Sequence, residues 1–470
     1  MANHGKPSTS DNFKEALSAI LKQGAGVTPG NGELSVRSMA IAYSGGLDST
    51  ALLHLAHDFA HQHKSVLHAF HIHHGLSALA DDWLTHCAAE AKKIGIAFDS
   101  RHITVAADSG EGLESMARTG RYAALGALCR EHGISVLLTG HHQNDQAETV
   151  LLQLLRGSGV AGLSGMERCN HAPTLLGDAT CLMGRPMLGI ARTALEAFAR
   201  ERGFSYVDDP SNLDPRYARN ALRHQVMPVI EAAFPGFAER FARSAHHAQS
   251  AQQLLVEFAQ QDFSYCIDGV GIALDRLRSL STIRCDNLLR YWFGSRGMRM
   301  PSSAWLQEMR EQVLNAKPDA QVLIGHADCE IHRHRNRIVM TARTSLPDAE
   351  QAAQLFVWRG EAAIHFPAYG GTLFFEAGMP GIDAAWLGQQ ALAVQWRSGG
   401  WRLRLAANRS TRSLKYHYQA ADVPAWERAR LPLVTVGKQL LFAAGIGMDC
   451  HHYAPSGQGG IMLRWQADHL

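Results

Sequence analysis

The chain has 470 residues, too many for one compact domain at roughly 100 to 200 residues each, so about three are expected. Its 45 Lys and Arg against 43 Asp and Glu leave a formal charge of +2, and 46% apolar residues supply several cores; a disordered chain is excluded. The longest apolar stretch, Leu440 to Met448, is half of what a bilayer crossing needs, and no basic segment followed by an apolar one opens the sequence, so a cytoplasmic protein with no membrane partner is expected.

Residues 1–34 are rich in Gly, Ser, Asn and Pro around a short helical pattern, Asn12 to Gln23, and read as an N-terminal extension. From Val36 apolar runs alternate with helical patterns: Met39 to Tyr43, Ser49 to His63, Val66 to Ile72, Asp82 to Ile94, Ile103 to Val105, Leu113 to His132, Ile134 to Thr139, and Asp145 to Arg156. Such alternation predicts an α/β domain over 35–216, a parallel sheet with helices on both faces whose ligand lies beyond the carboxyl ends of the strands. Over 217–345 long helical patterns dominate, and a mainly helical domain is expected. Short β-like runs follow at Val322 to Ile324, Arg337 to Thr341, Leu373 to Phe375 and Leu433 to Val436. They place a connecting segment at 346–387 and a small α+β domain at 388–470.

The eight cysteines are scattered with no C-x-x-C pair, which fits reduced thiols rather than disulfides or a zinc ribbon. The sharpest motif is Ser44-Gly45-Gly46-Leu47-Asp48-Ser49 between the first strand and the first helix. Two glycines let the backbone turn and approach a ligand, and the helix N-terminus adds free N–H groups and about half a positive charge. That is a cradle for pyrophosphate, with Mg²⁺ expected near the Asp48 carboxylate. No G-x-x-x-x-G-K-[ST] loop is present. Gly157 to Gly162 matches G-x-G-x-x-G but follows a helix, the wrong context for a dinucleotide fingerprint, and is expected to be a flexible turn. His71 and His73 alternate along one strand and can converge, but two ligands do not fix zinc; His74 at the strand end is the better substrate contact.

Glu114, Arg118 and Arg121 share a helix face; Asp145 and Glu148 are neighbours on the next helix, with His141 and His142 just before them. Between Trp396 and His417 stand Arg397, Arg402, Arg404, Arg409, Arg412 and Lys415 with no acid, interleaved with aromatics, as phosphate contact and base stacking require.

The S-G-G-x-D-S loop resembles that of the PP-loop, or N-type, ATP pyrophosphatases. Within that superfamily the chain is similar to the tRNA(Ile)-lysidine synthetases, through His71-Ile72-His73-His74-Gly75-Leu76, Glu114 with Arg118, Arg121 and Tyr122, Gly140-His141-His142 leading into Asp145-Gln146-Ala147-Glu148-Thr149, Arg185-Pro186, Asp209-Pro210-Ser211-Asn212 with Arg219 and Arg223, and Arg412-Ser413-Leu414-Lys415. One departure is Asn144, where the family often carries an acid.

The resemblance implies a ligase that uses ATP and Mg²⁺ to join free L-lysine to C2 of the wobble cytidine in a CAU-anticodon isoleucine tRNA. It implies nucleotide binding by residues 44–49 and catalysis by Asp48, Arg118, Asp145 and Glu148. Substrate contact falls to His74, Glu114, Arg121, His141, His142, Arg219 and Arg223, and tRNA contact to the 397–415 run. A tRNA thiolase of the same superfamily and a non-catalytic ATP- and RNA-binding protein are the alternatives, and a homodimer is left open.

Overall fold

The computed structural model describes residues 8–24, 38–75, 77–104, 113–210, 214–216, 218–317, 320, 322–343, 352–397, 399–455 and 459–468, with backbone alone at 113–115. Two compact units divide it, Met1–Glu257 and Phe258–Leu470.

The first unit is built on a six-stranded sheet of order β3-β2-β1-β4-β6-β5. Its strands are β1 (Ser38–Ala42), β2 (Val66–His73), β3 (Ala97–His102), β4 (Val136–Leu138), β5 (Cys169–His171) and β6 (Leu182–Gly184). All pairings are parallel except β5 with β6. Because side chains alternate along a strand, β1 feeds two cores at once. Met39 and Ile41 join Leu52, Phe59 and Phe198 on one face, while Ala40 packs with Phe70, Leu125 and Met183 on the other. That double burial explains why these strands read as unbroken apolar runs. The helices are α1 (Thr9–Gly24), α2 (Leu47–His63), α3 (Ala80–Lys93), α4 (Leu113–Glu131), α5 (Gln143–Leu155), α6 (Val160–Leu163), α7 (Pro173–Leu176) and α8 (Arg192–Arg202). The chain winds outward from β1 through β2 to β3, then crosses to β4 on the other side of β1. The carboxyl ends of β1 and β4 therefore flank the switch point where such sheets bind ligands.

The segment expected as an extension over 1–34 contains a core element. Helix α1 packs against α2, α8 and β6, and Phe13, Leu17, Ile20 and Leu21 are at most 1% exposed. Burial of each stabilises the unit by about 1.5–3 kcal/mol. Likewise, the helical segment after 216 packs onto the first unit rather than opening a new one: Met227, Phe237 and Ala238 close a small core around Ala147 of α5.

In the second unit, helices Leu274–Ser279, Thr282–Ser295 and Ser303–Asn315 are followed by strands Leu323–Gly325, Cys329–His334 and Arg337–Ala342. These strands and two short ones, Ile267–Asp268 and Gly271–Ala273, form a five-stranded antiparallel sheet around Trp292, Phe293 and Ile331. The domain expected to be mainly helical is therefore mixed, because its strands are two to six residues long and carry little periodicity. The stretch expected to be a connector, 346–387, is also structural where it is described. Gln354–Phe356 pairs with Leu392–Gln395, Gly371–Gly378 pairs with Gly460–Ala467, and Trp358, Phe366 and Leu373 share one core with Leu392 and Val434. Among the described residues no helix is long and apolar enough to cross a membrane.

Candidate active site

The loop after β1 is shaped by close packing. Gly45 has φ +87°, and a Cβ there would stand 2.7 Å from Cys87 Sγ and 3.1 Å from Val207 Cγ2, so only glycine fits. Val207 N–H donates to Gly45 O at 3.0 Å, which lays segment 204–209 along the loop. Thr50 Oγ1 donates to the carbonyls of Gly45 and Gly46 at 3.1 and 3.0 Å, and Ser44 and Ser49 share a hydroxyl bond of 3.1 Å. Gly46 caps α2 without a side-chain hydrogen bond, leaving the first-turn N–H groups facing outward without a side-chain cap. Across the switch point, Gly140 lets the β4 loop approach: a Cβ there would sit 3.2 Å from Asp48 O.

These loops border a cavity of about 340 Å³, within the range of small-molecule sites. Ser44, Gly46, Asp48, Ser49, His74, Arg121 and His141, all expected site residues, line it together with Tyr43, Thr139 and Asp209. The bond from Val207 to Gly45 lies two residues from Asp209 and helps bring it to the loop, a contact across more than 160 residues that local periodicity does not show. Burial and the Arg121 charge hold the His74 imidazole below its usual range, partly offset by Asp209. Burial pushes His141 down to about 4.

A second cluster adjoins the cavity without lining it. Arg223 donates through Nε to Glu148 Oε1 at 2.7 Å, and through Nη2 to Glu148 Oε2 at 2.9 Å and Asp145 Oδ1 at 3.1 Å. Glu148 is 1% exposed and Asp145 13%. Burial raises the Glu148 carboxyl above its usual range against the pull of Arg223. Arg219 donates to Thr149 Oγ1 at 3.1 Å and lies 3.7 Å from Glu148.

His142, fully buried, joins the two parts. Its Nδ1 accepts from Asp145 N–H while Asp145 Oδ2 accepts from His142 N–H, a reciprocal cap at the start of α5, and its Nε2 stands 3.5 Å from both Asp48 Oδ2 and Asp145 Oδ2. Burial opposes protonation of His142, but Asp48 and Asp145 raise its pKa overall. For Asp48, burial alone would lift the carboxyl; the His142 bond and the charges of His142, Arg192 and Arg223 hold it below the usual range.

The structure does not bring every expected residue to the cavity. Arg118 is exposed, its guanidinium 5.2 Å over the Tyr122 ring that Arg121 approaches from 5.5 Å. The side chain of Glu114 lies outside the described residues. Leu47 belongs to the core. Asn144 Oδ1 accepts from Arg192 N–H at 3.1 Å and so ties α5 to the start of α8. The expected turn at 157–162 includes α6, and the following residues are fixed rather than loose: Gln146 bonds Met166 N–H and O through its amide, and Gln249 Nε2 donates to Ser164 O and Met166 O.

In the second unit, Arg402 Nη2 donates to Thr411 O at 3.1 Å, and Arg404 donates to the carbonyls of Arg409 and Ala407, so both brace the 402–413 turn. Arg397 lies 5.6 Å over the buried Tyr418 ring. Arg409, Arg412 and Lys415 are exposed, Arg412 being 5.5 Å over the ring of Tyr416.

An anion cradle at the switch point of a parallel sheet, with a carboxylate on the first helical turn, defines a nucleotide-binding domain of the PP-loop class. The model of the PP-loop domain matches residues 11–230; that of the TilS substrate binding domain matches 273–339, and that of the TilS substrate C-terminal domain 392–465. A tRNA(Ile)-lysidine synthase of Burkholderia pseudomallei is 38% identical over 92% of this chain and 94% of its own. One of Ralstonia nicotianae is 41% identical over 88% and 90%. A crystal structure of a TilS C-terminal domain is matched over its whole length by 25% of this chain, at 26% identity and a TM-score of 0.21. The chain belongs to the tRNA(Ile)-lysidine synthase family, ATP-dependent ligases of the PP-loop superfamily.

Proposed function

We propose that the chain uses ATP to join the ε-amine of L-lysine to C2 of the wobble cytidine in the CAU-anticodon isoleucine tRNA, in the cytoplasm. The observation that carries this reading is the succession of PP-loop, TilS substrate-binding and TilS C-terminal domains on one chain. A thiolase is disfavoured by the same domains and by the lack of any C-x-x-C pair.

The C2 oxygen of cytidine attacks the α-phosphorus and pyrophosphate leaves; the lysine amine then attacks C2, AMP leaves with that oxygen, and the amine gives up its proton. The cytidine must leave its stack to reach the cavity. The uncapped N–H groups of α2 and the hydroxyls of Ser44 and Ser49 face the pyrophosphate, and Arg121 and His74 face the nucleotide or base. Asp48 fits Mg²⁺, because its Oδ1 is buried and bonds to no described residue while Oδ2 faces His142. Mg²⁺ held there would neutralise charge on the departing pyrophosphate.

Lysine transfer has its own requirement. With a pKa near 10.4 the free amine is neutral in about one molecule in 2,500 at pH 7, a deficit of roughly 4.6 kcal/mol. Asp145 is the better proton acceptor, since Glu148 is 1% exposed with both oxygens on Arg223, whereas Asp145 is 13% exposed and gives Arg223 one oxygen. Glu148 then positions Arg223, and Arg223 orients Asp145. Incubation with ATP, ¹⁴C-lysine and total tRNA, followed by nuclease digestion, tests the reading: label in a modified cytidine supports it, and unlabelled nucleosides refute it.

A further inference from the structure

Three side chains outside the proposed chemistry converge at the other end of the strand-end rim. His73 closes β2 and His102 closes β3, and the parallel register pairs them directly, so both imidazoles leave the same face of the sheet with ring centroids 4.2 Å apart. Asp81, in the first turn of α3, brings Oδ1 to 3.2 Å from His73 Nε2. One donor atom from each residue lies within 4.8 Å of the others. The His73 Nε2 atom is buried and makes no aligned hydrogen bond with a described residue. His102 and Asp81 are exposed, Asp81 at 89%, and can close the remaining distance by side-chain rotation. His71, the partner that alternation along one strand would give His73, is committed elsewhere: its Nδ1 bonds Tyr43 O at 3.0 Å.

We propose that His73, Asp81 and His102 form a binding site for a divalent transition-metal ion of the Zn²⁺ type, separate from Asp48. Two imidazoles and one carboxylate are a donor set that Zn²⁺ takes with a fourth position left to water, and Mg²⁺, which favours oxygen ligands, does not compete well for it. The ion ties the ends of β2 and β3 to the start of α3. Those elements bracket His74, and His73 itself lines the cavity, so the site sits at the edge of the nucleotide pocket.

Full-length protein stripped with a chelator and titrated with Co²⁺ tests this, using visible absorption and displacement by Zn²⁺. One tight equivalent with the intense d–d bands of a low-coordinate ion is expected. His102→Ala and Asp81→Asn, each at an exposed position where the fold is not at risk, should weaken that equivalent by about tenfold or more. The chain has 26 histidines, so weak background binding is expected and the difference between variants is the readout. Binding and spectrum unchanged in both variants would overturn the site. So would loss of the tight equivalent in Cys450→Ser, because Asp449, Cys450 and His451 form the other close triplet among the described residues.

Discussion

In the first unit, Arg223 spends three hydrogen bonds on Glu148 and Asp145, whose side chains are 1% and 13% exposed, and His142 sits fully buried between Asp145 and Asp48. In the second, Arg409, Arg412 and Lys415 stand exposed and form no ion pair with a described acid. On the proposed function, the two regions would use similar residues for opposite ends. Chemistry on a phosphoryl group needs charges fixed before the substrate arrives, so that no reorganisation is needed in the transition state. Grip on a polyanion needs cations that can release the counterions of the nucleic acid, and fixing them against local acids would cancel that gain.

The largest effect should come from the fixed side. Asp48→Ala is expected to lower tRNA-dependent pyrophosphate release by about 10³-fold or more while the protein stays folded and binds tRNA with unchanged affinity. Pyrophosphate release at the wild-type rate would remove Asp48 from the cradle. Next, Arg223→Ala removes both hydrogen bonds that Arg223 gives a carboxylate that is almost wholly enclosed, leaving Arg219 at 3.7 Å, and should cost about 3 kcal/mol of stability in denaturant unfolding. Replacing Glu148 by Leu in the same chain should restore most of that stability but not the activity. If the single variant unfolds like wild type, the network is not the rigid element described here.

Asp145→Asn sharpens the division of labour within the same cluster. Adenylation should persist and lysine transfer should slow by about 10²-fold, so that adenylated tRNA accumulates. Parallel loss of both steps would assign Asp145 to ATP or metal.

Much of this arrangement was legible in the sequence, and what was missed has a common cause. The cradle is a contiguous motif, and Asp145 and Glu148 are one helical turn apart, so local periodicity places them. Arg223 also stood out, but as a substrate contact; its partnership with Glu148 spans 75 residues and follows from how the helices after 216 pack on α5. The N-terminal segment read as an extension because Gly, Ser and Asn around it dilute the pattern, yet Phe13, Leu17, Ile20 and Leu21 keep the spacing of one helix face. Along β2 alone, alternation pairs His73 with His71, and its partner His102 is hidden because register between β2 and β3 is not written in either strand alone. In the C-terminal run composition identified six cations, but composition cannot tell which of them the local carbonyls have already taken.

A pH titration probes the fixed region at His141. With a folded pKa near 4, His141 stays neutral in the native state while the unfolded chain takes up a proton near 6.5. Its contribution is therefore fully present above pH 6.5 and lost as pH falls toward 4, at most of order 3 kcal/mol. His141→Asn should flatten that part of the stability curve, with wild type and variant differing less at pH 4.5 than at pH 7.5. Curves that stay parallel over this window would show that His141 is not buried as neutral imidazole.

The smallest effects belong to the exposed region, and there the comparison becomes most discriminating. Loss of one phosphate contact at Lys415 or Arg412 should weaken binding of all tRNAs alike by a few fold and reduce the slope of log K against log salt by roughly 0.7 to 0.9, with little change in selectivity. Arg404 should behave differently although it lies in the same run. Its guanidinium is spent on the carbonyls of Ala407 and Arg409, so Arg404→Ala should loosen the 402–413 turn and lower binding without removing a full unit of slope, whereas Lys415→Ala removes the charge and leaves the turn intact. Equal salt slopes for the two variants would mean that Arg404 leaves its turn to meet phosphate, and the division between bracing and gripping cations within this run would fail. A cognate tRNA that loses more affinity than a noncognate one in Lys415→Ala would instead make this run a reader of tRNA identity, because a contact to phosphate alone carries no sequence information.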